Sequence, residues 1–166
     1  TAASGSSLQS FRDALPGGHA DEKPEHMTHL RGNVLVSKDA AAIVFRGKLD
    51  SLEAKIIESQ LIAYESNSSE LVQNLDELYA FVRAIMSADV KNEPFVLSSL
   101  LGMDEKQLRS VSQNVLSNFG FHHPIPSYSM GKECVALNSL RTVVRETEVA
   151  ATAAFRSGTD CVRVDI

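Results

Sequence analysis

The stretch GKECVALNSLRTVVRETEVAATAAF, residues 131–155, decides the fold class of this chain. At helical pitch, its mainly apolar positions fall largely on one side. These positions are Val135, Leu140, Val143, Val144, Thr147, Ala151, Ala154 and Phe155. Arg141, Arg145 and Glu148 recur at spacings of four and three residues, so they share a face that apolar packing leaves free. The stretch therefore predicts a long helix with one buried face and one charged face.

The charged face has two interpretations. Two guanidinium groups one helical turn apart form a surface suited to a polyphosphate or to paired carboxylates. The alternative is a solvated helix face on which arginine and glutamate pair with each other, and spacing alone favours that alternative by about two to one. The helix by itself therefore does not identify a ligand.

Two segments in the first half of the chain repeat the helical pattern. The first begins at Lys48 and ends near the Ser/Asn cluster at 66–69; its apolar positions are Leu49, Leu52, Ile56, Ile57 and Leu61. Ser69 is a suitable cap for the second segment. The apolar stripe of that segment comprises Leu71, Leu75, Leu78, Tyr79, Val82, Ile85 and Met86. Both segments predict amphipathic helices that bury one face.

A further helix is expected in the second half of the chain. Asp104 is a suitable cap, and the pattern continues to Phe119 before Gly120 ends it. The positions predicted to face inward are Leu108, Val111, Val115, Leu116 and Phe119. Four long helices with short connections predict an all-α fold, an antiparallel bundle of four to five helices.

The remaining segments lack a clear helical repeat. Residues 1–24 are rich in Ser, Ala, Gly and charge, which predicts a mobile lead-in to a bundle over residues 25–166. Residues 34–36 and 43–45 are β-branched runs near glycines, so this part predicts an irregular loop with extended segments, at most a small hairpin. Residues 159–166 have no cap and no stop, and we expect another helix to begin there.

Composition limits the class of protein. The length of 166 residues, with 43% hydrophobic and 22% charged residues, is typical of one soluble domain. The net charge of −5 argues against a general nucleic-acid binder, and no apolar run is long enough for a membrane span. The first residues lack the pattern of a secretory signal. Cys134 and Cys161 are too few and too far apart for a disulfide scaffold, so we expect a cytoplasmic protein with free thiols.

Two sequence motifs are each weak evidence of function, but their order along the chain makes them informative. The first combines KPEHMTHLRGN at 23–33 with FRGKLDSLEA at 45–54, and the second is LNSLRTVVRETE at 137–148. Gly32 permits a tight turn, and Lys38 supplies a mobile charge for an anion. Neither of the common phosphate loops, GxxxxGK[ST] or GxGxxG, occurs. Together the motifs resemble the ATP:corrinoid adenosyltransferase family, and their residues are most similar to those of its ethanolamine-utilisation branch.

The resemblance implies an activity and an assembly. The reaction would be attack by the cobalt(I) of reduced cobalamin on the 5′ carbon of ATP, which forms adenosylcobalamin and releases triphosphate. Cobalamin supplies the nucleophile, so the protein would contribute positioning and charge neutralisation, with Mg²⁺ accompanying ATP. The implied assembly is a homotrimer of helical bundles with ATP between subunits. It would associate with other ethanolamine-utilisation proteins in the cytoplasm or in a bacterial microcompartment.

The resemblance also implies roles for single residues. The implied ATP-binding residues are Thr28, His29, Gly32, Lys38, Arg141, Arg145 and Glu148. Among them, Arg141 and Arg145 would be the catalytic residues and Lys38 would approach the triphosphate. Asp50 would lie at a subunit interface near an arginine of the neighbouring subunit, with Arg141 as the first candidate. Glu148 would orient an arginine or a hydrated magnesium ion.

Departures from the family pattern leave an alternative open. Residues 40–42 are alanines where the family has a Pro-Arg pair, and no CCxxC metal motif is present, so no protein-bound metal is carried over. The family continues into a helix with an Asn-Arg-Leu-Ser motif, and we expect that helix to be missing from the chain as given. The alternative is a divergent or truncated relative that binds corrinoid or ATP without catalysis. A structural bundle that binds a partner through its arginines is a third possibility.

The histidines are compatible with more than one role. His26 and His29 lie three residues apart, and His122 and His123 are adjacent. This spacing raises the possibility of a metal site. Because paired cysteines and an HExxH helix are both missing, the spacing favours other roles. For His29, a hydrogen bond to ATP is an equal possibility.

Overall fold

Three long helices form the body of the molecule. The computed structural model describes residues 11–13, 19–20, 22–96 and 98–166. Its helices are α1 (Ala41–Glu65), α2 (Ser69–Lys91), α3 (Glu105–Gln113), α4 (Val115–Phe119) and α5 (Lys132–Phe155). Helix α1 lies in the middle and packs against α2 and α5. The predicted all-α helix bundle is confirmed. Among the described residues, no helix has the length and apolar character needed to cross a membrane.

The core is built around α1 because its large apolar residues recur at helical spacing. Phe45, Leu49, Leu52 and Ile56 each expose 5% or less of their surface. The ring of Phe45 meets that of Phe155 on α5 edge to face, with 5.2 Å between ring centroids. Full burial of one such side chain stabilises the fold by about 1.5–3 kcal/mol. Packing against two neighbouring helices therefore holds α1 in place.

Polar contacts show that α1 and α5 run antiparallel. Near the start of α1, Lys48 Nζ lies 2.7 Å from Glu146 Oε2 on the second half of α5. At the end of α1, Glu65 Oε2 lies 3.3 Å from Lys132 Nζ at the start of α5. Both pairs are exposed, and such pairs typically contribute less than about 1 kcal/mol each. They mark the register of the two helices but contribute little to its stability.

A hairpin forms in the N-terminal segment, but from other residues than expected: of the two predicted extended runs, only residues 34–36 belong to a strand. Strands β3 (Met27–Arg31) and β4 (Val34–Ser37) pair antiparallel around a turn in which Gly32 has a φ of 50°. They belong to a four-stranded sheet with β1 (Phe11–Asp13) and β2 (His19–Ala20), in the order β2-β1-β4-β3. Apart from β1, β2 and the residues from 22 onward, the expected lead-in over 1–24 lies outside the described residues.

Two expectations about the long helices are wrong. Helix α1 begins at Ala41 rather than near Lys48, so residues 43–45 are helical and not extended. Burial of Phe45 one turn before Leu49 explains this, since tertiary packing overrides the β preference of Ile and Val. The cap of α2 is Ser68 rather than Ser69; its hydroxyl donates to Glu133 and makes no cap hydrogen bond.

The predicted start of the helix at Asp104 is confirmed, but its burial is not. Asp104 and Gln107 form a reciprocal capping box at the start of α3. The helix breaks at Asn114, and no residue of α3 or α4 is buried. Leu116 and Phe119 remain 50% and 55% exposed. The amphipathic pattern is therefore present, but its apolar side is only partly covered, with Leu108, Val111 and Val115 half-buried.

The helix expected at residues 159–166 does not form; a short hairpin and a tail held by hydrogen bonds take its place. Strands β5 (Arg156–Ser157) and β6 (Asp160–Cys161) pair directly after α5. Beyond them, Arg163 Nη2 donates to Glu93 O and to Asp165 Oδ2, each at 2.9 Å. The Phe95 N–H also donates to Asp165 Oδ2, at 2.7 Å. The hydrogen bond from Arg163, followed by that from Phe95, holds the pKa of Asp165 well below its usual range.

Candidate functional site

The outer face of α5 presents arginines that the chain itself does not neutralise. We call Arg141, Arg145 and Glu148 the ridge; all three are exposed. Arg141 donates from Nε and Nη2 to Asn138 Oδ1, at 3.3 and 3.2 Å. In the described part of the chain, Arg145 forms no hydrogen bond or ion pair. The Arg–Glu pairing that spacing favours is therefore not formed, and the guanidinium donors remain available to an anion.

The ridge separates two grooves. On one side, a groove of about 600 Å³ between α1 and α5 is bordered by Arg145 and Lys48, with Val44 and Val149 as apolar neighbours. On the other side, a groove of about 350 Å³ between α2 and α5 has α1 as its floor and is mainly apolar. Glu148 borders this second groove. The arginine and the glutamate that share a helix face therefore line different cavities.

The N-terminal candidates are brought together on one hairpin. In the β3–β4 register, Thr28 lies opposite Val36 and His29 opposite Leu35. Gly32 forms the turn. Lys38 follows β4 directly, where its backbone N–H donates to His26 O at 2.9 Å. Thr28 is half-buried, His29 is exposed, and Lys38 keeps 52% of its side chain exposed beside Glu25, with Nζ 3.2 Å from Oε1.

Within one chain, the hairpin and the ridge do not meet. The hairpin lies at the end of the bundle where α1 begins, and α5 ends there at Phe155. At 1.5 Å per residue, Arg145 lies roughly 15 Å from Phe155 along the helix axis, and Arg141 roughly 21 Å. Among the described residues, no hydrogen bond or ion pair joins the hairpin to either arginine. Asp50 is exposed on α1 and makes no such contact with Arg141.

A buried ion pair beneath the hairpin was missed by sequence reasoning. Arg46 Nε donates to Asp89 Oδ2 at 2.7 Å, and Arg46 Nη1 donates to Leu30 O at 2.8 Å. Arg31 Nη2 lies 4.0 Å from Asp89 Oδ1. The Asp89 side chain is 1% exposed and that of Arg46 is 14% exposed. One signal was available: Asp89 follows Val82 by two helical turns, so it is a carboxylate on the apolar face of α2.

No protein metal site emerges from the histidines. In the described ranges, no group of three or more His, Cys, Asp or Glu side chains is arranged to hold a metal ion. His122 and His123 border a small surface pocket beside α4. Cys134 is half-buried with its Sγ 3.9 Å from Met130 Sδ, and Cys161 is exposed; both thiols are free.

Comparison with known proteins gives consistent results. The family model described as Cobalamin adenosyltransferase matches residues 20–165. A protein of Salmonella typhimurium named Corrinoid adenosyltransferase EutT is 33% identical over 134 residues, which is 81% of this chain and 49% of that protein. The protein of the same name from Escherichia coli is 32% identical over 138 residues, with the same coverage. The chain thus spans about half the length of the curated relatives it matches. No solved structure matches it significantly.

Proposed function

This chain belongs to the cobalamin adenosyltransferase family, and on that basis we propose that it transfers the 5′-deoxyadenosyl group of ATP to the cobalt of reduced cobalamin. The family match over residues 20–165 is the observation that carries the proposal. A cobalt–carbon bond forms, the bond between C5′ and the triphosphate oxygen breaks, and triphosphate leaves with the electron pair. The chain therefore has to hold both substrates and neutralise the leaving group.

The two arginines of the ridge, together with Lys38, are the groups we assign to the triphosphate. Arg145 has no partner in the described part of the chain, and Arg141 contacts only a neutral amide there. Guanidinium groups without a charged partner can form paired hydrogen bonds to phosphate oxygens as negative charge develops on those oxygens. Lys38 adds a mobile positive charge after β4. We assign Thr28, His29 and Gly32 to the wall of the nucleotide site, and Glu148 to orienting a ridge arginine.

We propose that the complete site forms between subunits of a homotrimer. The separation of hairpin and ridge within one chain supports this arrangement, because a single ATP could not readily contact both. Asp50, exposed on α1, would pair with Arg141 of a neighbouring subunit. Val44 and Val149 are 45% and 64% exposed beside Arg145, and burying them would favour association.

Magnesium fits the proposal as an ion carried by the triphosphate. The described residues supply no cluster of carboxylates and imidazoles for it, and Mg²⁺ is commonly held by substrate phosphates and water. When bound, the ion would neutralise phosphate charge. The resemblance to the ethanolamine-utilisation branch supports a setting in the cytoplasm, or in a bacterial microcompartment with partner proteins of that system.

An absorbance assay tests the proposed function directly. The chain is mixed with ATP, magnesium and chemically reduced cobalamin, and formation of the cobalt–carbon bond is followed, with ATP omitted as the control. We expect product only when ATP is present, together with released triphosphate. If no product forms while calorimetry still detects ATP binding, the chain is a binding protein without catalysis.

A further inference from the structure

The ion pair beneath the hairpin connects strand β3 to the packed helices α1 and α2. Arg46 lies in the second turn of α1, Asp89 lies in the last turn of α2, and Leu30 belongs to β3. One guanidinium donates to both the Asp89 carboxylate and the Leu30 carbonyl. We call the Arg46–Asp89 pair the joint. Because Leu30 stands between His29 and Arg31, the joint acts on the part of β3 that leads into the Gly32 turn.

We propose that Arg46 and Asp89 are positioning residues that hold the hairpin in the orientation in which it binds ATP. This inference rests on the function proposed above. Neither side chain is required to touch ATP: Asp89 is 1% exposed, and Arg46 is directed towards the Leu30 carbonyl and the Asp89 carboxylate. Their effect would pass through the backbone of β3 to Thr28, His29 and Gly32.

The composition of the joint favours positioning over simple stabilisation. An apolar pair of similar volume is often as stable as a buried ion pair or more stable. Here the pair is also incompletely satisfied, since Arg46 Nη2 and Asp89 Oδ1 are buried without a hydrogen-bond partner. Arg31, at the mouth of the turn, approaches Asp89 Oδ1 only to 4.0 Å. A directional bond to the β3 carbonyl is what an apolar pair could not provide.

The experiment separates positioning from stability with three variants: Arg46→Met, Asp89→Leu and the double variant. Each single change leaves a buried charge without its partner, so we expect a lower melting temperature. The double variant should recover most of that loss. Its KM for ATP should nevertheless stay about tenfold above wild type, equivalent to about 1.4 kcal/mol. The KM for cobalamin and kcat should be unchanged.

A matched control comes from the core of α2. Leu75→Ala, at a residue 3% exposed and remote from the hairpin, lowers the melting temperature by creating a cavity. It should leave the KM for ATP unchanged. The inference is overturned if the double variant regains the wild-type KM along with its stability. It is equally overturned if Leu75→Ala raises the KM for ATP as much as the double variant does.

Failure of the proposed function would be recognised separately. If the wild-type chain neither forms product nor binds ATP, the function falls while the joint is still tested by amide hydrogen exchange. Exchange at the β3 amides that are hydrogen-bonded to β4 should be at least about tenfold faster in the double variant than in wild type if the joint holds β3. Equal exchange rates in the two proteins would refute the joint itself.

Discussion

The joint and the ridge both place arginines on the helix bundle, but only in the joint does a carboxylate of the described chain compensate the positive charge. In the joint, Arg46 is 14% exposed and its carboxylate partner 1% exposed. On the ridge, Arg141 and Arg145 are exposed, and among the described residues no carboxylate contacts either of them. The charge of the joint is therefore neutralised within the chain, whereas the ridge arginines have no carboxylate partner among the described residues.

This difference teaches how to interpret arginines in an amphipathic helix. A buried arginine must be paired, because an uncompensated charge in the interior is strongly destabilising. An exposed arginine does not need a partner within the protein, so the lack of one is compatible with binding an anion. We therefore expect an arginine to affect folding in the joint and ligand binding on the ridge. The predictions below test that division, from the largest expected effect to the smallest.

Loss of the carboxylate in the joint should have the largest effect on stability. We expect Asp89→Leu to lower the free energy of unfolding by about 3–5 kcal/mol, because Arg46 is left buried and unpaired. Urea denaturation measures this loss. Glu58→Leu, which removes an exposed carboxylate from α1, should change stability by no more than about 0.5 kcal/mol. Similar losses in the two variants would contradict a special role for burial at Asp89.

Loss of an arginine from the ridge should affect turnover and leave stability unchanged. We expect Arg145→Ala to lower kcat by about 10²–10³-fold, or roughly 2.7–4 kcal/mol, because a donor to the leaving triphosphate is lost. The helix content measured by circular dichroism should stay the same. Arg109→Ala on α3, another exposed arginine, serves as the control and should retain full turnover. If Arg145→Ala kept wild-type turnover, the ridge would not be part of the catalytic site.

The Arg163–Asp165 pair in the C-terminal tail is an intermediate case, because both side chains are partly buried. Because the folded-state pKa of Asp165 is lowered from its unfolded value near 4, its contribution to stability is complete above about pH 4. That contribution is lost as the pH falls towards the folded-state pKa. We expect Asp165→Asn to reduce stability by about 1 kcal/mol at pH 7. The difference between variant and wild type should shrink in unfolding curves measured below pH 4; a constant difference would contradict the assignment.

The exposed pair beside Arg145 should have the smallest effect. Glu146→Gln frees Lys48 and removes a negative charge from the groove that Arg145 borders. We expect ATP to bind about twofold tighter, equivalent to roughly 0.5 kcal/mol. The gain should fall as salt is raised, because exposed charges are screened. Calorimetry at two salt concentrations measures it, and unchanged or weaker binding at low salt would separate this groove from the nucleotide site.

The long helices could be predicted because their apolar spacing is a local property. The stripe from Leu71 to Met86 predicted α2, and Asp104 as a cap predicted the start of α3. Burial could not be predicted in the same way. Phe119 and Leu116 have the right spacing but remain exposed, because burial needs a second surface that spacing does not supply.

The candidate site was predictable to a similar, limited degree. The order of the two motifs identified the family and picked out Lys38, Arg141 and Arg145. The partners of these residues were beyond prediction, as were the separation of hairpin from ridge and the contact of Arg46 with Leu30. All of these depend on which elements meet in space; Leu30 and Arg46 are 16 positions apart in the sequence, and Arg46 and Asp89 are 43 positions apart.

By itself, the sequence determined the helical class, the amphipathic faces and the family resemblance, since each depends on the types and spacing of residues near one another in the chain. Only the tertiary structure decided which charges are neutralised. Asp89 and Arg46 are paired because three elements converge on them, while Arg145 is exposed because nothing in the described chain packs over it. Charge compensation is a property of neighbours in space, and for this protein it separates the arginine that is paired inside the fold from those that remain exposed without a carboxylate partner among the described residues.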